Sequence, residues 1–172
     1  MPIYALGDAE PVIHPRAYVH PDAVVIGRVH IGAESSIWPT AVLRGDDGEV
    51  FVGAGTSIQD GTIVHTTALF PTTVGDRCVV GHNAHLEGCV VEDGSLVGSG
   101  STVLHQAVVR SGSLVGANAL VPGGMEVPTG AMALGVPAKL REGAVRPGQF
   151  EEAVVSYIDR ARRFRDGLRR LD

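Results

Sequence analysis

The sequence is poor in cysteine, in basic residues and in long apolar segments, and each shortage excludes a class of protein. Its two cysteines, Cys78 and Cys89, are too few for a disulfide framework, which predicts a reducing compartment and a cytoplasmic protein. No apolar run approaches the roughly 20 residues of a membrane helix, and no basic stretch precedes an apolar one at the N-terminus, so we expect neither a membrane span nor a signal peptide. The net charge of −5 argues against broad nucleic-acid binding.

Aromatic residues are also scarce, at 5% of the 172 residues, whereas apolar residues of all kinds make up 44%. The chain is long enough to bury a real core. That core must therefore consist of many small aliphatic layers rather than a few large rings. This composition, together with 23 glycines, is typical of a repeat protein.

Aliphatic residues recur every six positions along most of the chain. The residue four places after each of them is small or β-branched, with Asp47 as the single exception. An α-helix would repeat near 3.6 residues and a half-buried strand near 2, so a period of six indicates a short strand plus a turn. The 17 aliphatic positions are Ile13, Val19, Val25, Ile31, Ile37, Leu43, Val52, Ile58, Val64, Val74, Val80, Leu86, Val91, Val97, Val103, Val109 and Val115.

Short strands joined by turns bury their apolar side chains when the chain coils on itself. Three hexads complete one triangular coil, so the pattern predicts an all-β solenoid, a parallel β-helix of about six coils that each rise roughly 4.8 Å. The period breaks at two insertions, which are Arg44–Glu49 between Leu43 and Val52 and Thr66–Pro71 between Val64 and Val74. Insertions in a solenoid form loops, and functional residues collect there.

The C-terminal part of the sequence changes character. We divide the chain into a hexapeptide-repeat β-helix over residues 1–128, a connecting segment over 129–148 and a helix over 149–172. The last segment spaces its apolar residues alternately four and three apart, which predicts an α-helix packed along the β-helix. These residues are Phe150, Val154, Tyr157, Ala161, Phe164, Leu168 and Leu171.

Residues three hexads apart lie one above another on the same face of such a coil. The position after each aliphatic residue stacks Arg44, His65 and Glu87, and the next position stacks Asp60 and His82 on a different face. His65 and Glu87 can therefore share a metal within one chain, whereas His82 would reach it only from a neighbouring subunit. The geometry favours a metal site shared across a cyclic homotrimer.

The segments that carry these residues resemble the γ-class carbonic anhydrase family. They are Leu43-Arg44-Gly45-Asp46, Ser57-Ile58-Gln59-Asp60-Gly61-Thr62, Val64-His65, Gly81-His82-Asn83-Ala84, Gly88-Cys89 and Gly135-Val136-Pro137-Ala138-Lys139. The resemblance covers most of the chain and implies a left-handed coil, although the general crossover rule favours right-handed connections. It also implies a homotrimer with zinc, or another divalent transition metal, between subunits, and reversible hydration of carbon dioxide to bicarbonate.

The resemblance also implies roles for four polar residues. Gln59 would orient the metal-bound hydroxide, and Asp60 would support the polar network. Arg44 and Asp46 would form an ion pair between subunits. The metal would lower the pKa of bound water to about 7 and so supply hydroxide at neutral pH.

The third metal ligand departs from the family pattern. The resemblance makes His65 one ligand and His82 of the adjacent subunit another, but the third position carries Glu87 where the family has histidine. Two histidines and one glutamate form a workable zinc site. A carboxylate removes one positive charge from the complex, so we expect less acidic water and slower hydration.

Three residues near Glu87 are reserve ligands. His85 is expected at the turn before Leu86. His105 is expected on the face of Glu87, one coil further on and one position out of step. Cys89 is either a soft ligand or a small buried residue.

Other functions on the same fold stay open. A non-catalytic trimeric binding or assembly protein would keep the trimer without a metal. An acyl-CoA thioesterase would direct the same nucleophile at a different carbonyl. A hexapeptide acyltransferase would bring the Gly135–Lys139 segment to coenzyme A, but it needs a general-base histidine and neither insertion contains one.

Overall fold

The computed structural model describes residues 2–172, which form a parallel β-solenoid of about seven turns followed by a single helix, α1 (Glu151–Gly167). The predicted fold class is therefore confirmed. The strands are β1 (Ile3–Tyr4), β2 (Val12–Ile13), β3 (Tyr18–Val19), β4 (Val24–Ile31), β5 (Ser36–Ile37), β6 (Val42–Val52), β7 (Ser57–Ile58), β8 (Ile63–His65), β9 (Thr72–Val74), β10 (Val79–Val80), β11 (His85–Glu87), β12 (Val90–Val91), β13 (Leu96–Val97), β14 (Thr102–Val103), β15 (Val108–Val109), β16 (Leu114–Val115), β17 (Leu120–Val121), β18 (Glu126–Val127), β19 (Met132–Leu134) and β20 (Lys139–Arg141).

Two sheets wrap the three faces of the coil. The long strand β6 pairs with β8 through Val42–Arg44 and with β9 through Val50–Val52, so it belongs to two faces. The first face continues from β6 through β8, β11, β14 and β17, and the second continues through β9, β12, β15 and β18. The third face is a separate sheet in the order β3, β5, β7, β10, β13, β16, β19 and β20. Successive turns of the coil pair in parallel because the chain crosses each face in the same direction every time.

The predicted hexad positions form the core. All of them except the half-buried Ile13 are at most 7% exposed. The second column of small residues lies at the corners, where most of its buried hydroxyl groups donate hydrogen bonds to backbone carbonyls of the next turn. Thr62 Oγ1, for example, donates to the Gly81 carbonyl at 2.9 Å, and Ser113 Oγ donates to the Pro128 carbonyl at 2.7 Å. Buried polar groups are stable only when they are paired in this way.

The coil has about seven turns instead of the expected six or so. The hexad phase continues past Val115 through Val121, Val127 and Ala133, which are all fully buried. Parallel pairing accordingly continues to β19, which lies beyond residue 128. The last repeat is hidden in the sequence because Ala133 is not one of the residues that define the hexad.

Helix α1 packs on the N-terminal end of the third face. Its Ala161 is buried in an aromatic cluster with Tyr18 and Trp38, and Tyr157 and Phe164 pack against the same cluster. The predicted apolar stripe is thus used as far as Phe164, whereas Leu168 and Leu171 beyond it are exposed. Across residues 2–172, no helix has the length and apolarity that a membrane crossing requires.

Candidate metal centre

The first face brings the predicted stack together. Its register pairs Arg44 on β6 with His65 on β8, and His65 with Glu87 on β11. The aliphatic residue that precedes each of them is fully buried. Because side chains alternate along a strand, the three polar side chains point outward, one above another.

His65 lies between two carboxylates. Its Nδ1 is 3.0 Å from Glu87 Oε1, and its Nε2 is 3.1 Å from Asp46 Oδ1. The other oxygen of Asp46 accepts a hydrogen bond from Arg44. Arg44 and Asp46 pair within one chain, because the two residues lie two apart on one strand and share its outer side. The pair between subunits that the resemblance implies stays a prediction.

Two more imidazoles contact Glu87. His85 Nε2 is 3.2 Å from Glu87 Oε2, and His105 Nε2 is 3.6 Å from Glu87 Oε1. We call these residues, together with His65 and Asp46, the Glu87 cluster. The expected turn at His85 is wrong, because His85 opens β11 and shares its outer side with Glu87 two residues later. This arrangement could have been predicted from the sequence, because residues on either side of a buried leucine in a strand point to the same side.

The cluster keeps both of its carboxyl groups ionised. Burial by itself would raise the pKa of Glu87, but hydrogen bonds from His85 and His65 and the charges of His65 and His105 bring it below its usual value. Burial opposes ionisation of Asp46 as well, but backbone N–H groups, His65 and Arg44 lower its pKa. The first face therefore carries two anionic groups beside three imidazoles and one guanidinium.

The other predicted site residues lie at a different corner of the coil. Asp60 and His82 follow β7 and β10 on the third face, and His82 Nδ1 is 2.8 Å from Asp60 Oδ2. Both side chains are about half exposed, at 48% for His82 and 45% for Asp60. Gln59 precedes Asp60 and is buried. The prediction that Asp60 and His82 stack on a face away from His65 is confirmed.

Within residues 2–172 of one chain, no three His, Cys, Asp or Glu side chains are grouped so that they could hold a metal ion. The ring nitrogens of the Glu87 cluster face carboxylate oxygens, and His82 lies at another corner. The predicted set of His65, Glu87 and His82 therefore requires a second copy of the chain.

Cys89 does not join the cluster. It is fully buried in the main core, as is Cys78. Burial raises the pKa of each thiol to about 12. Both side chains are enclosed in the core, so neither reaches the outer side of the first face, where the Glu87 cluster lies.

We expect both cysteines to resist alkylation while the protein is folded, because a reagent needs an exposed thiolate. Iodoacetamide at about pH 8 should leave Cys78 and Cys89 unmodified in native protein and modify both in guanidinium chloride. Mass spectrometry of the peptides reads the outcome. Rapid labelling of Cys89 in the native protein would contradict its burial and return it to the set of candidate ligands.

Comparisons with known proteins match the repeat and most of the chain. The family model described as bacterial transferase hexapeptide (six repeats) matches residues 10–45 and 71–105. Gamma carbonic anhydrase 1, mitochondrial, of Arabidopsis thaliana is 44% identical over 138 residues, which are 77% of this chain and 50% of the plant protein. The chain therefore spans half the length of that relative.

Shorter relatives match over most of their length. Carnitine operon protein CaiE of Proteus sp. (strain LE138) is 40% identical over 139 residues, which are 81% of this chain and 71% of CaiE. A hexapeptide transferase family protein from Anaplasma phagocytophilum is 33% identical in sequence. Its crystal structure aligns with a TM-score of 0.89 over 94% of this chain and 96% of that one. A Bacillus cereus protein provisionally classed as an acetyltransferase is 29% identical, with a TM-score of 0.93 over 95% and 96% of the two chains. With these matches and the repeat, the chain belongs to the γ-class carbonic anhydrase-like family of hexapeptide-repeat proteins.

Proposed function

We propose that this protein is a metal-dependent lyase that hydrates carbon dioxide reversibly at sites shared between the subunits of a homotrimer. One observation carries the proposal: His65 has Glu87 at one ring nitrogen and Asp46 at the other, while His82 is exposed on a different face. The plant relatives named gamma carbonic anhydrase support the same chemistry.

The residues present fit zinc or another divalent transition metal. Two ligand atoms about 2.0 Å from a tetrahedral zinc ion lie about 3.3 Å from each other, and His65 Nδ1 lies 3.0 Å from Glu87 Oε1. A metal-bound histidine usually donates its other ring N–H to a carboxylate. Asp46 Oδ1, at 3.1 Å from His65 Nε2, supplies that acceptor. His65 and Glu87 would hold the metal together with His82 of the partner subunit.

The surroundings of His82 also suit it to bind a metal held by a neighbouring subunit. His82 Nδ1 lies 2.8 Å from Asp60 Oδ2, so the carboxylate favours the tautomer that carries its proton on Nδ1. The Nε2 atom of His82 is then the nitrogen with a free lone pair. Because half of the His82 side chain is exposed, a neighbouring subunit can approach it.

The bound metal would supply the nucleophile, because it lowers the pKa of water to about 7. Around it the chain's own residues act as holders. His65 and Glu87 would bind the metal from the first face, Asp46 would fix the His65 ring, and Gln59 would orient the attacking hydroxide. The negative charge of Glu87 makes that water less acidic than three neutral imidazoles would, so we propose slow turnover at neutral pH.

Acyl transfer is a second candidate, because the two structural neighbours that cover nearly the whole chain bear transferase names. The segment that would approach coenzyme A is exposed at Val136, which is 71% accessible. Neither insertion contains a histidine to act as general base, whereas the imidazoles of the first face contact carboxylates. The arrangement therefore supports metal-dependent hydration better.

The proposal predicts about one zinc or cobalt ion per chain when the protein is purified without chelator or affinity metal. Glu87→Ala should lose this metal, because it removes one of the two ligands that a single chain contributes. Elemental analysis measures the metal, and a stopped-flow assay of carbon dioxide hydration should follow the metal content.

Glu92→Ala is the matched control, since Glu92 is a partly exposed glutamate that pairs with Arg110 on the second face. It should retain the metal. A wild-type trimer that takes up no metal, even after incubation with zinc or cobalt, would contradict the proposal and favour a non-catalytic assembly protein. Protection of Lys139 by acetyl-CoA from chemical labelling would favour acyl transfer instead.

A further inference from the structure

The contacts of Glu87 are divided between its two carboxylate oxygens. Oε2 contacts His85 Nε2 at 3.2 Å, on the same strand. Oε1 faces His65 Nδ1 at 3.0 Å, one turn before it, and His105 Nε2 at 3.6 Å, one turn after it. One carboxylate is thus surrounded by three imidazoles from successive turns of the first face.

The position of His105 beside the Glu87 carboxylate depends on the backbone at Gly88. Gly88 has a φ of +61°, and a Cβ at this position would lie 2.8 Å from His105 Cδ2 and 3.0 Å from Phe70 Cβ. Glycine at position 88 therefore lets the His105 imidazole approach the Glu87 carboxylate. Phe70, from the second insertion, packs its ring edge-on to His105 with centroids 6.3 Å apart.

A glutamate ligand needs this support more than a histidine does. Its side chain has more rotatable bonds and two equivalent oxygens, so it loses more freedom when one oxygen is committed to a metal. Hydrogen bonds from neighbouring groups orient a ligand and commonly change metal affinity 10- to 100-fold. Because the His85 imidazole contacts Oε2 of Glu87, the oxygen left beside His65 is Oε1.

We infer that His85 and His105 are positioning residues that hold Glu87 so that it binds the metal through Oε1, with His85 occupying Oε2. The inference rests on the proposed function, because it assigns Glu87 as a ligand. It replaces the earlier expectation that these two histidines are reserve ligands. His105 also keeps the carboxylate from swinging toward solvent, because it closes the side of Oε1 opposite His65.

The test uses cobalt(II) as the probe and the protein in its native assembly. The double variant His85→Phe with His105→Phe keeps an aromatic ring at each position but removes the two imidazole N–H groups that face Glu87. We expect its affinity for cobalt to fall about 10- to 100-fold and the ligand-field spectrum of bound cobalt to change. Replacing both histidines by glutamine keeps a donor at each position and should restore most of the affinity. His30→Phe is the control, because His30 is equally exposed, lies near Glu49 and belongs to another part of the sheet.

A metal-free experiment separates this inference from the proposed function. The melting-temperature losses of Glu87→Gln and of the double phenylalanine variant should be less than additive when combined, because both remove the same contacts. Additive losses, or unchanged cobalt affinity and spectrum in the phenylalanine variant, would overturn the inference. Failure of the wild type to bind cobalt would overturn the proposed function. Non-additive losses of melting temperature would, even then, support the contacts of His85 and His105 with the Glu87 carboxylate.

Discussion

Two variants that each lose the metal should regain it when they are assembled into one trimer. His65→Ala removes a ligand on the first face, and His82→Ala removes a ligand at another corner of the coil. If each site takes His65 and Glu87 from one subunit and His82 from the next, a mixed trimer contains sites in which both histidines are intact. Random assembly of equal amounts should restore about a quarter of all sites, which is about a third of the sites in trimers that contain both variants.

The measurement is metal content and carbon dioxide hydration after the two variants are expressed together with different affinity tags and purified through both. A hybrid of His65→Ala with Glu87→Ala is the matched control. Both of these residues come from one chain, so every site in that hybrid lacks one of them. Recovery in the control, or none in the His65–His82 hybrid, would show that the three residues do not form a site between subunits.

Glu87→His should strengthen metal binding and raise the hydration rate at neutral pH, each on the order of tenfold. The substitution replaces an anionic ligand with a neutral imidazole, so the complex carries one more positive charge. The bound water then becomes more acidic, and a larger fraction of it is hydroxide at pH 7. The midpoint of the pH–rate profile should accordingly move to lower pH.

Cobalt affinity and the pH dependence of hydration measure this effect. Glu87→Gln provides the comparison, because it removes the same negative charge without supplying an imidazole, and it should weaken metal binding. Wild-type affinity and rate in Glu87→His would refute the account in which the glutamate slows the reaction. Equal gains in Glu87→Gln would show that charge alone, and not the third imidazole, limits the site.

Much of the candidate site could be predicted from the hexad alone. A period of six fixes which residues lie one turn apart, so Arg44, His65 and Glu87 could be stacked before any coordinates were known. The same count placed Asp60 and His82 at another corner. The number of turns was underestimated, because the aliphatic period was followed only to Val115 although Val121 and Val127 continue it, and the last repeat carries Ala133 instead of a larger aliphatic residue.

The sequence by itself determined the solenoid, its core and the faces on which the polar residues lie, because the period of six and the alternation of side chains are properties of the backbone. Only the tertiary structure decided that the Arg44–Asp46 pair forms within one chain and that Cys89 is enclosed. Such contacts depend on side-chain torsions and on the closing of loops. The period placed His105 one turn beyond Glu87, whereas its close approach to the carboxylate depends on the packing of Phe70 against its ring and on the missing Cβ of Gly88.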